Sequence, residues 1–357
     1  MLDSKQCKLD YEAKLPLYEI MGNKFKELLE ELLKNEDIKS ASVTKRIKTP
    51  KSFLEKITRS DKNYKDPLNE VTDLCGLRIT VRTLSDVKNV GELLKKEFIL
   101  DVENSISKLD EMKADQFGYL SEHYVVELKT ARGKLPEWKN FKKLKAEIQV
   151  RTFLQHAWAE VQHSLDYKNT QDIPKELRRK LFRLSALFEL ADEELNQISD
   201  DAYKLFKHYE KNIQSNIKSV EINADSFKAY IEKSKSLHRW AKKIKNLGIE
   251  MRDSETFSIT ISLAQTAGIT NFEQIENLLK ESEGWGMSYI KEIYDSFHKA
   301  KGSAQAGCTP QGIITFLLTA RYPEQLTLEL LKKAGWTNAK YAVEAAKKFG
   351  PLNKMKK

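Results

Sequence analysis

The chain has 357 residues, 40% hydrophobic and 32% charged, enough length and apolar content for two domains, or for one domain and a sizeable extension. Three cysteines (Cys7, Cys75, Cys308) with no C-x-x-C pairing exclude a disulfide framework, no apolar run is long enough for a membrane span, and Met1 to Tyr11 lacks the apolar segment of a signal peptide, so the expectation is a soluble cytoplasmic protein with no membrane partner. The formal net charge of +9 and pI of about 9.1 favour phosphate-rich partners, though a lysine-rich solvated surface explains the charge equally well.

In chain order, residues 16–35 read as a helix. Pro16 suits a first turn, and Leu17, Ile20, Met21, Phe25, Leu28, Leu29, Leu32 and Leu33 form an apolar stripe. Pro50 and Ser52 mark a second helix start, over residues 51–59, with Arg46, Lys48, Lys51 and Lys56 gathering positive charge around it. Helix N-termini with lysines seat phosphates well. Residues 73–82 alternate as a strand: Leu77, Ile79 and Val81 on one side, Arg78, Thr80 and Arg82 on the other. Asp73, at its entrance, is placed either to cap a turn or to hold a metal at the strand edge. A helix over 85–97 and a short strand, Phe98–Val102, follow. Lys108 to Gln116 reads as a polar loop leading to Gly118, which permits close ligand approach, and to Tyr119, which offers an aromatic face. The next strand carries His123 at its beginning, and residues 131–143 read as a basic loop.

Residues 145–168 organise the rest. Over 146–151 the period is two: Ala146, Ile148 and Val150 point into a core, while Glu147, Gln149 and Arg151 point the other way. After Thr152 the period becomes helical. Leu154, Trp158, Val161 and Leu165 form one stripe, and His156, Glu160, His163 and Tyr167 repeat the spacing on another face. From Pro174 to about His208 the pattern is helical, with Leu177, Leu181, Leu184, Leu187, Phe188, Ala191 and Leu195 as its apolar side. Gln214 to Leu247 reads as one charged helix, and residues 254–349 as short helices with a small core and no chemistry-bearing cluster.

Two carboxylates (Asp73, Glu147), several cations and an aromatic are what phosphoryl-type transfer requires. The carboxylates hold Mg2+, the cations neutralise phosphate oxygens, and the aromatic stacks a base. Glu147 is the candidate general base and Asp73 the candidate metal ligand; a plain outer-face glutamate is the structural alternative.

At these residues the chain resembles the RelA/SpoT family of alarmone synthetases. The shared pieces are Arg46-Ile47-Lys48 with Ser52 and Lys56; Asp73-Leu74-x-Gly76-x-Arg78-Ile79; Gly118-Tyr119-x-Ser121-x-His123; Glu147-x-Gln149-x-Arg151-Thr152; and His156 to Lys168. They span about residues 40–170, with looser helical similarity to about 210. The resemblance implies a mixed β-sheet, nucleotidyltransferase-like synthetase domain with flanking helices, of the α/β class, over residues 1–213. Beyond the resemblance, composition alone adds a linking charged helix (214–250) and an all-helical C-terminal domain (251–357), expected to be regulatory because it carries no chemistry-bearing cluster. The implied reaction moves the β,γ-diphosphate of ATP onto a ribose 3′-hydroxyl, usually that of GDP or GTP, and releases AMP. Arg46 and Arg78 would sandwich the adenine, and Lys48, Ser52 and Lys56 would hold the ATP phosphates. Asp73 and Glu147 would bind Mg2+, with Glu147 also activating the hydroxyl. Tyr119 would stack the acceptor base, with His123, Gln149, Arg151 and His156 on the acceptor side. Leu120 stands where the family's Gly-Tyr motif often continues with Arg or Gln, and Lys108 and Lys113 are the candidate acceptor-phosphate residues of a loop that does not align cleanly. The acceptor therefore stays open between GDP or GTP and the 3′ CCA end of tRNA, the target of toxic members of the family. The C-terminal region is expected to act through a protein partner, the catalytic domain or contacts in a homo-oligomer.

Three rivals come from other classes. A metal hydrolase built on Glu160-x-x-His163 with His156 lacks the second ligand pair that a di-metal bundle needs. A P-loop NTPase lacks G-x-x-x-x-G-K-[ST]. A non-catalytic nucleic-acid-binding scaffold is separated from the enzyme by Glu147→Ala, which only the enzyme would feel.

Overall fold

The computed structural model describes residues 4–36, 38, 41–60, 62–107, 121–164, 174–301, 307–336 and 339–349. The chain divides into two compact units, residues 1–200 and 201–357. The elements are α1 (Ser4–Asn35), β1 (Ser42–Ile47), α2 (Pro50–Ile57), α3 (Pro67–Glu70), β2 (Cys75–Val81), α4 (Leu84–Glu97), β3 (Phe98–Leu100), β4 (Ile106–Ser107), β5 (Glu122–Leu128), α5 (Thr130–Gly133), β6 (Ala146–Thr152), α6 (Phe153–Ser164), α7 (Lys175–Ser215), α8 (Ala224–Lys233), α9 (Lys235–Asn246), β7 (Glu250–Met251), α10 (Ser258–Thr266), α11 (Phe272–Glu281), α12 (Gly286–Lys301), β8 (Gly307–Cys308), α13 (Pro310–Arg321), α14 (Leu328–Lys333) and α15 (Ala339–Phe349).

In the first unit a mixed sheet runs β1-β2-β6-β5-β3, with β4 also paired to β5. β1 and β5 are antiparallel to their neighbours, and β2 and β6 are parallel. Alternation gives each central strand two faces, as the sequence predicts. Cys75, Leu77, Ile79, Val81, Ala146, Ile148 and Val150 are buried against one core with Met21, Phe25 and Leu29 of α1 and Val90 and Leu94 of α4. A Cβ on Gly22 of α1 would meet Ile47 Cδ1 at 2.9 Å, which shows how closely that helix lies on β1.

Several boundaries differ from the sequence reading. α1 starts at Ser4, with Pro16 inside the helix. Tyr11 explains the extension: it is fully buried, packs on Phe53 and donates to the Lys48 carbonyl at 2.6 Å. α2 starts at Pro50, because the Thr49 hydroxyl caps the Ser52 amide. α4 starts at Leu84, behind a reciprocal capping box of Thr83 and Asp86. The strand expected over 98–102 ends at Leu100, and the loop expected over 131–143 holds α5 and a short 3-10 turn, Lys139–Phe141, beside buried Trp138 and Phe141. α7 is the expected helix, but Leu177, Leu184, Leu187 and Leu195 of its expected apolar side are exposed, as is Leu190.

The second unit has its own core, including Phe227, Tyr230, Leu237, Trp240, Phe272, Tyr289, Ile313 and Leu317. The single linking helix expected over 214–250 is not formed. Capping by Asn223 and Ser234 breaks that stretch into α8 and α9, and both bury apolar residues in this core. Among the described residues the regular elements of the unit are helical apart from β7 and β8, which pair in parallel. No helix among the described residues is long and apolar enough to cross a membrane.

Candidate active site

The sheet face opposite the α1–α4 core is polar. Parallel register sets Gly76 against Glu147 and Arg78 against Gln149; across the antiparallel edge Thr44 faces Arg78 and Arg46 faces Gly76. A cavity of about 580 Å³ opens over this face, lined by Thr44, Lys45, Arg46, Lys48, Thr49, Ser52, Asp73, Gly76, Leu77, Arg78, Glu147, Gln149 and Glu160. The sequence reading thus has seven of its site residues in one concavity: Arg46, Lys48, Ser52, Asp73, Arg78, Glu147 and Gln149. Gly76 keeps β1 close, since a Cβ there would lie 3.0 Å from the Arg46 carbonyl oxygen.

Asp73 stands at the entrance to β2, where Lys48 Nζ reaches Oδ2 at 2.6 Å and Lys56 Nζ reaches Oδ1 at 3.0 Å. Burial would raise its pKa, but the hydrogen bonds and charges of the two lysines outweigh burial and hold it below the ordinary carboxylate value. Lys56 therefore joins the site through Asp73. Glu147 shows the same balance with different partners. Burial pushes its pKa up; His123 Nδ1, 3.2 Å from Oε1, and Gln149 Nε2, donating to Oε1 at 3.1 Å, bring it below the usual value, against the repulsion of Asp73. His123 pairs with Gln149 across β5–β6, and its Nε2 lies 2.8 Å from Ser121 Oγ. A proton on Nδ1 serves Glu147 and leaves Nε2 to accept from Ser121.

A second cluster lies where β6 passes into α6. Arg151 is almost wholly buried, and its pKa falls to about 10 through desolvation and the nearby charge of Arg78, opposed by Glu160. Glu160 Oε1 sits 3.7 Å from Arg78 and 3.6 Å from His156 Nδ1. His156 is held below its ordinary pKa by desolvation and then by Arg151 and Arg78. Arg151 and His156 are thus linked to the cavity through Arg78 and Glu160, although neither lines it. Tyr119, Gly118, Lys108, Lys113 and Leu120 lie outside the described residues, as do Tyr167 and Lys168.

Thr44, Lys45, Thr49, Gly76, Leu77 and Glu160 line the cavity without having been given a role in it. Thr44 shares the period-two row of Arg46, and Glu160 lies one helical turn after His156, so both carried a signal in the sequence. Among the described residues no group of three or more His, Cys, Asp or Glu converges as a metal-binding cluster. The donor set that does exist, two ionised carboxylates beside phosphate-seeking cations, is one that suits Mg2+ completed by substrate phosphates and water. Asp73 and Glu147 fit that ion.

Residues 45–172 match the family described as the region found in RelA / SpoT proteins. The chain is 35% identical over 164 residues to the GTP pyrophosphokinase YjbM of Bacillus subtilis (strain 168), spanning 44% of this chain and 70% of that one. Among solved structures it is similar to a GTP pyrophosphokinase family protein from Streptococcus pneumoniae, with 30% identity, coverage of 55% of this chain and 96% of the other, and a TM-score of 0.46. The small alarmone synthetase 1 from Bacillus subtilis, solved bound to its product pppGpp, shares 28% identity over 54% of this chain and 97% of its own, with a TM-score of 0.45.

Proposed function

The chain belongs to the RelA/SpoT family, and from that membership we propose that it carries out Mg2+-dependent transfer of the β,γ-diphosphate of ATP to the 3′-hydroxyl of GDP or GTP, yielding (p)ppGpp and AMP. The observation that carries this reading is the meeting of Asp73 and Glu147 in one cavity with Arg46, Lys48 and Arg78. Arg46 and Arg78 offer planar cations to the adenine from neighbouring strands. A triphosphate gives Lys48 and Lys56 stronger anionic partners than Asp73 alone, leaving the Asp73 oxygens for a cation. Bound by Asp73 and Glu147, Mg2+ would supply charge neutralisation at the phosphate oxygens.

In the transfer the acceptor 3′-oxygen forms a bond to the β-phosphorus, the bond from that phosphorus to the α-bridging oxygen breaks, and AMP departs. The hydroxyl proton passes to a Glu147 oxygen. The lowered pKa keeps that carboxylate ionised at neutral pH, ready to accept it. Negative charge spreading over the phosphate oxygens meets the lysines and arginines already in place, and such preorganised charge supplies the largest part of the acceleration.

Incubation of the protein with labelled ATP, Mg2+ and, in parallel, GDP, GTP and bulk tRNA tests the reading. Label entering the guanosine nucleotides with equimolar AMP is the expected result. Label entering tRNA alone would assign the tRNA-directed reaction of the family instead, and no transfer to any pool would overturn the transferase reading.

A further inference from the structure

The net charge is concentrated in the part of the chain outside the family match. Residues 201–357 carry 25 Lys and Arg against 17 Asp and Glu, which accounts for eight of the nine formal charges. Within that unit α9 stands apart. Its twelve residues, KSLHRWAKKIKN, hold Lys235, Arg239, Lys242, Lys243 and Lys245, all exposed, and no carboxylate. The other described helices of the unit with more than one cation mix both signs. Leu237, Trp240 and Ile244 are buried in the core, so Lys235, Arg239 and Lys242, at i, i+4 and i+7, line the opposite face over a rise of about 10 Å. None of the five makes an ion pair among the described residues, whereas Lys207 and Lys233 both pair with Glu210.

Lys243 and Lys245 lie in the last turn, where the helix dipole favours cations, but the rest of the arrangement works against the helix that bears it. Lys235 occupies the first turn, where the helix dipole favours an acid. Lys235 with Arg239, and Arg239 with Lys243, are like charges at i, i+4, a spacing that destabilises a helix. A solvated face selected for solubility would intersperse both signs, as the neighbouring helices do. Uncompensated local repulsion of this kind marks a surface kept for a ligand.

We propose that the exposed face of α9 is a binding site for the phosphodiester backbone of a polynucleotide, separate from the transfer chemistry of the first unit. The row of cations supplies charge, while Trp240 is buried in the core and cannot stack a base, so recognition is through the backbone and without sequence preference. A membrane surface is the poorer occupant, because the apolar residues with which an interfacial helix would insert, Leu237, Trp240 and Ile244, are spent on the core.

Fluorescence anisotropy of the full chain with labelled bulk tRNA and with labelled duplex DNA, at 50–200 mM salt, tests the site. Five backbone contacts give a log–log salt slope of about −4 to −5 on duplex. The triple variant Lys235→Gln, Arg239→Gln, Lys242→Gln should bind about tenfold or more weakly and flatten the slope to about −2. Lys332→Gln, Lys333→Gln, Lys340→Gln removes the same charge from other exposed positions of the unit and should bind as wild type. The α9 variant should keep its diphosphate-transfer activity and show an equal or higher Tm, since repulsion is relieved. Binding of tRNA and duplex DNA would both support a backbone site, and the stronger of the two would name its source. Equal losses in the two triple variants, no salt-dependent binding to either nucleic acid, or retention only on phosphatidylserine vesicles would each overturn the proposal.

Discussion

Lys48 Nζ meets Asp73 Oδ2 at 2.6 Å, and beside this pair the Lys48 amide donates to the carbonyl of Leu74, the residue after Asp73, at 3.1 Å. The end of β1 and the start of β2 are therefore joined by charge and by backbone at the point where donor phosphates and metal would arrive. Asp73 is three-quarters buried and held by Lys48 and Lys56, so its carboxylate is ionised in the folded protein below the pH at which it protonates in the unfolded chain. A depressed folded pKa contributes stability above the unfolded value, near 4, that is lost as pH falls through the folded value. Asp73→Asn should remove this dependence: between pH 5 and 3 the wild type loses more of its denaturation free energy than the variant. At pH 7.5 the same substitution should lower Mg2+-dependent AMP release by about 10²-fold or more, as expected when a charged group at the transferring phosphate is removed.

Glu147 is the residue on which catalysis and simple binding part company. Glu147→Gln should reduce kcat by about 10²–10⁴-fold, the usual share of a general base, with binding of metal-free ATP nearly unchanged. His123 is one of the two groups that hold Glu147 in its ionised form. His123→Ala removes that hydrogen bond, so the Glu147 pKa should rise. The acid limb of the kcat profile then moves to higher pH. A limb that stays in place in His123→Ala would show that Glu147 is not the group titrating there.

The two sheet faces should respond differently to mutation. A Cβ on Gly91 of α4 would collide with Tyr124 Oη, which is itself fastened to Glu122 on the core side of β5. Gly91→Ala should cost about 1–3 kcal/mol through overpacking. The proposed ATP side of the site is on β1 and β2, on the opposite face of the sheet, so KM for ATP in the folded fraction should not change. Urea denaturation and initial-rate kinetics on the same preparation measure the two quantities.

The strands Cys75–Val81 and Ala146–Thr152 were legible because Leu77, Ile79, Val81, Ala146, Ile148 and Val150 alternate with Arg78, Thr80, Glu147, Gln149 and Arg151, a contrast that does not depend on which strand lies alongside. Pairing was not. Nothing local in Cys75–Val81 states that it lies parallel to Ala146–Thr152, and without that register Asp73 and Glu147 cannot be placed together except by resemblance. The fastening of two lysines on Asp73 was equally hidden, since Lys48 and Lys56 sit on different elements. Helix limits failed where a distant contact decided them. Tyr11 buries itself against Phe53 and carries α1 back through Pro16, while Asn223 and Ser234 cap two helices in a stretch whose charge alone suggested one. The leucines of α7 show the reverse: a clear apolar pattern whose members the structure leaves exposed.

A buried acid outside the cavity gives the most distinctive pH behaviour. Thr152 ends β6 and caps α6: its hydroxyl accepts from the Gln155 amide at 3.0 Å, and its own amide donates to Gln155 Oε1 at 2.8 Å. The same hydroxyl donates to Asp192 Oδ2 of α7 at 2.6 Å. Asp192 is fully buried, its Oδ1 has no hydrogen-bond partner among the described residues, and desolvation lifts its pKa to about 7. This sign is opposite to that of Asp73. A raised folded pKa means that the native state binds the extra proton between the unfolded value near 4 and about 7, so stability declines as pH rises through that window. Asp192→Asn keeps an oxygen for the Thr152 hydroxyl and removes the charge. It should therefore flatten the decline, leaving Tm close to wild type at pH 5 and several degrees higher at pH 8. Melting curves from pH 5 to 8 on both proteins decide the matter; parallel curves would mean that Asp192 is already ionised and paired throughout. Arg151 and His156 flank this junction, so the variant's KM for the acceptor should also lose pH dependence over the same range if Asp192 positions them.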